Sequence, residues 1–178
     1  MRAGFLVLAG LLTGCASAAG PTTAPPPGAV RLDVPLFADR TDQCGPAALA
    51  GVLRFWGKEV VMAALKQEVY RASLKGSIGV DLLLAAQARG MSAQILEGGL
   101  AQAKRELDAG HPLVAFLNQG PSFLPVGHYL VVTGYDAARR VVYVNSGARK
   151  NVLMSEASFD RQWERTGRWA LLMLPSRG

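Results

Sequence analysis

Apolar residues Ala48, Leu49, Val52, Leu53 and Trp56 recur at intervals of three and four along "CGPAALAGVLRFWG". That spacing predicts an amphipathic helix starting at Cys44, with Pro46 in the first turn, where a missing N–H costs nothing, and Gly57 past the end. Ahead of it, "VRLDVPLF" alternates apolar and polar positions, predicting an entering strand that the turn-forming "ADRTD" ends. After it, "VVMAALKQEVYRA" predicts a second helix, and "GSIGVDLLLAAQARG" a loop and a third helix from about Val80 to Arg89. A short strand "SAQIL", a fourth helix "LAQAKRELDAG" and the apolar run "PLVAFL" follow. The pattern then changes: "HYLVVTGYD", "RVVYVN", "NVLM" and "WALLML" are β-branched or apolar runs joined by short turns, interrupted by one helix in "ASFDRQWERTG". A helical first lobe and an antiparallel second lobe define an α+β fold.

The N-terminus has a different pattern. A ten-residue apolar run, "AGFLVLAGLL", follows Arg2 and is about half the length needed to span a bilayer, so it predicts an export signal. It leads into Leu12-Thr13-Gly14-Cys15, which resembles a bacterial lipobox and makes Cys15 the acylated first residue of the mature chain. The alternative is ordinary signal cleavage near Ala16-Ser17-Ala18. Ala16 is not the aspartate that retains such lipoproteins in the inner membrane, so the resemblance implies an outer-membrane protein facing the periplasm. The organisation that follows is a signal peptide over 1–14, a lipidated cysteine with an Ala/Pro-rich tether over 15–29, and one domain over 30–178.

Charge adds little. The formal net charge of +6 falls to +5 when Arg2 is removed, and the basic residues are scattered, with no basic and aromatic stripe of the kind that binds nucleic acid. Cysteine usage adds more. Acylation of Cys15 removes the only disulfide partner of Cys44, leaving an odd thiol in an oxidising compartment, to be buried or used.

A helix start favours a thiolate, and a nucleophilic thiol needs a base. Of the two histidines, His111 follows a helix-ending glycine in "DAGHPL" and fits a loop or helix-end role. His128 begins the strand "HYLVVTGYD" behind the Pro/Gly-rich loop "PSFLPVG", and the next strand brings Asn145 or Ser146 toward its ring. Cysteine, histidine and a polar orienter thus occur in chain order.

"DQCGPAALAGVLRFWG", "GHYLVVTGYD" and the tail "VLMSEASFDRQWERTGRWALLMLP" resemble the papain-like cysteine peptidases related to the bacteriocin-processing, double-glycine leader peptidases, in their stand-alone lipoprotein branch. The resemblance covers about residues 32–175. It implies a helical lobe carrying the cysteine packed on an antiparallel sheet carrying the histidine, with Cys44 as nucleophile, His128 as general base and then acid, and a polar residue after the next strand as orienter. The family's Asp-Pro orienter is replaced by Asn145-Ser146; an Asn can accept from the imidazole N–H as in papain-like triads, which makes Asn145 the first candidate, with Ser146 the alternative. The family's oxyanion-hole glutamine, five or six residues before the cysteine, is replaced by Asp39 or Ala38, which leaves Gln43 as the nearest amide side chain.

No spacing of cysteine, histidine and carboxylate predicts a metal site, and "GSIGVD" lacks the lysine of a phosphate-binding loop. Trp163 and Trp169 fit core positions. The expected activity is peptide-bond hydrolysis through a thioester at Cys44, with no cofactor and with a peptide or protein as substrate. Two alternatives belong to other classes: a silent peptidase-like domain that binds a peptide or partner protein, and a related thiol amidase or acyltransferase.

Overall fold

The computed structural model describes residues 26–39 and 42–176. The signal segment, Cys15 and the tether up to residue 25 lie outside the described residues. Helix α1 (Cys44–Phe55) starts and ends as its spacing predicts, and every residue from Gly45 to Leu53 is buried. Helix α2 (Met62–Val69) is shorter than its apolar pattern, because the chain turns extended at Tyr70 and folds into a 3-10 turn (Ala72–Leu74) closed by a bridge between Arg71 and Gly76. Helix α3 (Gly79–Gln87) completes the helical lobe.

The strands are β1 (Ala29–Arg31), β2 (Met91–Ile95), β3 (Leu113–Asn118), β4 (Gly127–Asp136), β5 (Val141–Ser146), β6 (Arg149–Ser155) and β7 (Ala170–Pro175). They form one antiparallel sheet ordered β2-β7-β3-β4-β5-β6, with β1 also paired to β4. The apolar run "SAQIL" thus leaves the helical half of the chain to form the sheet's edge. β3 pairs with β4 from Gly127 to Val132, and β1 with its last three residues from Gly134 to Asp136. The entering strand is shorter than its alternation predicts. Leu32 N–H still donates to Thr133 O at 2.7 Å, but Pro35 has no N–H to give a ladder, and Val34 O accepts from the Asn145 side chain at 3.0 Å.

Alternation along the central strands gives each face its own core. Tyr129, Val131, Val114 and Leu171 pack against α1, α2 and α3. Leu130, Val132, Ala115 and Leu172 point to the other face, where α4 (Gly99–Asp108) and α5 (Glu156–Glu164) lay down Leu107, Phe159 and Trp163. The sheet therefore holds β4 rigidly from both sides. Its first residues project beside the start of α1 and form the candidate site.

Candidate active site

Cys44 is the first residue of α1, and Gln43 is its N-cap. Pro46 lies within the first turn, where the N–H it lacks would have no intrahelical partner. Cys44 Sγ accepts a hydrogen bond from the backbone N–H of Tyr129 at 3.4 Å. This contact joins residues 85 positions apart in the chain and puts the thiol one residue from His128 along β4. The described β4–β5 register begins at Val131 and Asn145, so this start of β4 projects past its β5 partner.

Three local features fix the position of His128. The residue before it must be small, since a Cβ on Gly127 would stand 2.6 Å from the Phe116 ring. The Tyr129 ring after it packs on Phe116 at 4.4 Å and on Trp169 at 5.6 Å, and the Tyr129 hydroxyl donates to Ser77 O at 3.3 Å. The His128 ring itself bonds through Nε2 to Ser146 Oγ at 2.9 Å. Cys44 and His128 line one cleft of about 560 Å³, together with Ser77, Phe116, Gln119 and Lys75.

Asn145, the expected orienter, does not meet the imidazole. Its Nδ2–H donates to Val34 O and its Oδ1 accepts from Asn151 N–H, both at 3.0 Å, so its amide is committed to holding the entering segment and the β5–β6 hairpin. The cause is register. Asn145 lies opposite Val131 and shares the α1 face of the sheet, whereas Ser146 has the parity of Leu130 and His128. Gln43 is displaced too. It makes no side-chain cap bond and lines a hollow of about 180 Å³ with Phe37, Asp39, Met62 and Lys66, whose walls do not include Cys44. Asp39 does reach the site. It lines a hollow of about 20 Å³ with Cys44, Tyr129 and Asn145, and its N–H donates to Gly147 O at 3.1 Å, one residue beyond Ser146. His111 is bonded to Glu106 at 2.8 Å, at the carboxyl end of α4.

The electrostatics depart from the simple reading of a helix start. Burial pushes the Cys44 thiol above its ordinary value. The Tyr129 N–H acts in the opposite direction, the Asp39 charge adds to the rise, and the N–H groups of Gly45 and Cys44 oppose it. Burial also lowers His128, while Asp39 draws it back up. Both effects of burial favour a neutral thiol beside a neutral imidazole at rest. Tyr129 N–H was not singled out from the sequence; its only signal there was its place next to His128 in a strand start. Among the described residues, no group of three or more histidine, cysteine, aspartate or glutamate side chains could hold a metal ion.

A double-glycine-motif protease from an AMS/PCAT transporter, solved in complex with the leader peptide, is 25% identical, with a TM-score of 0.67 over 83% of this chain and 95% of that one. A putative C39-like peptidase from Bacillus anthracis has a TM-score of 0.70 at 19% identity, over 84% of this chain and 99% of that one. The peptidase domain of Streptococcus ComA, a bifunctional ABC transporter, has 0.61 at 22%, over 80% and 98%. No curated protein matches the chain. The pattern of the Peptidase_C39 like family spans residues 31–171. The chain belongs to this family, and its α+β architecture is the papain-like fold of the double-glycine cysteine peptidases.

Proposed function

We propose that the chain is an envelope-anchored cysteine peptidase in which Cys44 is the nucleophile, His128 the general base and acid, and Ser146 the residue that orients His128. The observation that carries this reading is the Tyr129 N–H bond to Sγ, which brings the thiol to the residue after His128, within a cleft that both side chains line. With Nε2 donating to Ser146 Oγ, Nδ1 is the ring nitrogen left to receive the thiol proton. Since burial keeps both groups neutral at rest, proton transfer accompanies attack and does not precede it. The sulfur adds to the substrate carbonyl, and the Cys44 N–H at the start of α1 donates to the developing oxyanion. The imidazolium then protonates the leaving amine. Water, deprotonated by His128, cleaves the thioester and regenerates the thiol.

The substrate is a peptide or protein. The homologous protease solved with its leader peptide supports this class. The chain encodes its own address through the lipobox at Leu12–Cys15, which anchors the domain to the outer membrane with the cleft in the periplasm.

Iodoacetamide alkylation of the purified chain, read by mass spectrometry of the Cys44 peptide, tests the site. Around pH 6.5 the native protein is expected to react several-fold faster than His128→Ala. Equal rates at every pH would refute the pairing of Cys44 with His128 and leave a peptide-binding domain as the function. Labelling with radioactive palmitate tests the anchor: Cys15→Ser abolishes incorporation, and continued labelling overturns it.

A further inference from the structure

The structure directs attention to Asp39, a carboxylate close to the thiol that the reaction just described does not use. Its backbone is fixed: Asp39 N–H donates to Gly147 O at 3.1 Å, and Gly147 follows the residue whose hydroxyl holds His128 at 2.9 Å. Gly147 turns with φ +59, and a Cβ there would sit 3.5 Å from Asp39 O, so the hairpin and the Asp39 segment fit closely. Asp39 also shares the hollow of about 20 Å³ with Cys44, too small for more than about one water to intervene. Asp39 therefore stands against the thiol, and its backbone is tied to the residue that follows Ser146, the partner of the imidazole.

We propose that Asp39 is a positioning residue that acts electrostatically, setting the pH window in which the Cys44–His128 pair works. A negative charge beside both groups favours their protonated forms: the neutral thiol over the thiolate and the imidazolium over the imidazole. Its effect is to move both titrations in the same direction, toward higher pH, and this distinguishes it from a carboxylate that contacts the histidine alone. The other charged groups facing the pair or Asp39, among the described residues, are Asp42 and Lys75 at the cleft and Lys66 in the hollow that Asp39 shares with Gln43. Lys75 and Lys66 act in the opposite sense to Asp39, and Asp42 acts in the same sense. The hydroxyl of Tyr129, raised by burial, stays neutral throughout this range. The directions for both members agree, since Asp39 raises Cys44 and raises His128. The ionic work of the site, divided in a carboxylate-containing triad between orientation and charge, is here split between two residues: Ser146 orients His128, and Asp39 supplies the charge.

This inference deepens the peptidase reading, but its test separates the two because each partner is titrated with the other removed. In Cys44→Ser protein, the His128 ring titration is followed by NMR, with His111 the only other histidine. In His128→Ala protein, the pH dependence of Cys44 alkylation is followed. Adding Asp39→Asn to each background is expected to move both midpoints to lower pH by about half a unit or more, while Asp39→Glu leaves them in place. Should Asp39→Asn fold poorly, Asp39→Gln serves as the second neutral variant. Midpoints that do not move with either neutral variant, or that move in opposite directions, overturn the proposal. A peptidase reading that fails on its own leaves these shifts intact, because neither arm requires the thiol and imidazole to interact.

Discussion

Asn145 and Ser146 are adjacent, polar and within reach of the same histidine by sequence, yet their removal is expected to have different consequences. Ser146→Ala removes a neutral hydrogen bond of 2.9 Å to a half-buried ring, leaving the fold untouched. A net contribution of about 0.5–1.5 kcal/mol for such a bond corresponds to a roughly two- to twelvefold fall in the rate at which Cys44 is alkylated near neutral pH, and to a stability loss of no more than about 1.5 kcal/mol. Asn145→Ala removes two bonds from a side chain that is 4% exposed, stranding Val34 O and Asn151 N–H. At about 1–3 kcal/mol for each stranded group, the loss is about 2–6 kcal/mol, a large part of the roughly 5–15 kcal/mol that holds a domain together. Urea denaturation followed by tryptophan fluorescence and iodoacetamide kinetics on the same samples measure both quantities. An Asn145 variant that keeps its urea midpoint while its thiol slows more than in Ser146→Ala would refute the assignment of Ser146 as orienter.

Three further outcomes follow from the same structure. Burial lowers His128, so the native state gains stability from it above the unfolded value of about 6.5 and loses that stability as pH falls toward the lower folded value; replacing it by Gln should flatten the decline of the urea midpoint between about pH 7 and 5, and an unchanged slope would show that the ring is not desolvated. Cys44 is raised, so its contribution is full below the ordinary thiol value and is lost as pH rises through the folded one; Cys44→Ala should resist alkaline unfolding better than the native chain, and parallel pH curves would contradict this. A Cβ at Gly134 would lie 2.0 Å from Val30 O, so Gly134→Ala should push β1 away from β4 and cost about 1–3 kcal/mol, seen as a lower urea midpoint with faster amide exchange at Val30; native-like exchange there would mean that β1 tolerates the methyl group.

The helix at Cys44 and the strand at His128 were legible because each rests on a local signal: Ala48, Leu49, Val52 and Leu53 repeat with a helical period, and "HYLVV" is β-branched and apolar behind a loop. Choosing between Asn145 and Ser146 was not possible at that level. It turns on a one-residue parity in the β4–β5 register, and that register is irregular between Val132 and Gly134, where no composition signal marks the shift. Gln43 was read from proximity along the chain, but adjacent helix-start residues point in different directions, and its neighbour's thiol faces a different hollow. The thiol's raised proton affinity is likewise tertiary in origin, since burial against the sheet outweighs the N–H groups of the helix start.

The pairing of β1 with the far end of β4 also determines the molecule's reach. Ala29 lies opposite Asp136, eight residues along the strand from His128, or about 27 Å at the rise of an antiparallel strand. Anything attached ahead of Ala29 therefore joins the domain at the pole opposite the cleft. Immobilised through that end on a bead or a sensor chip, the protein would present its thiol outward to incoming polypeptide.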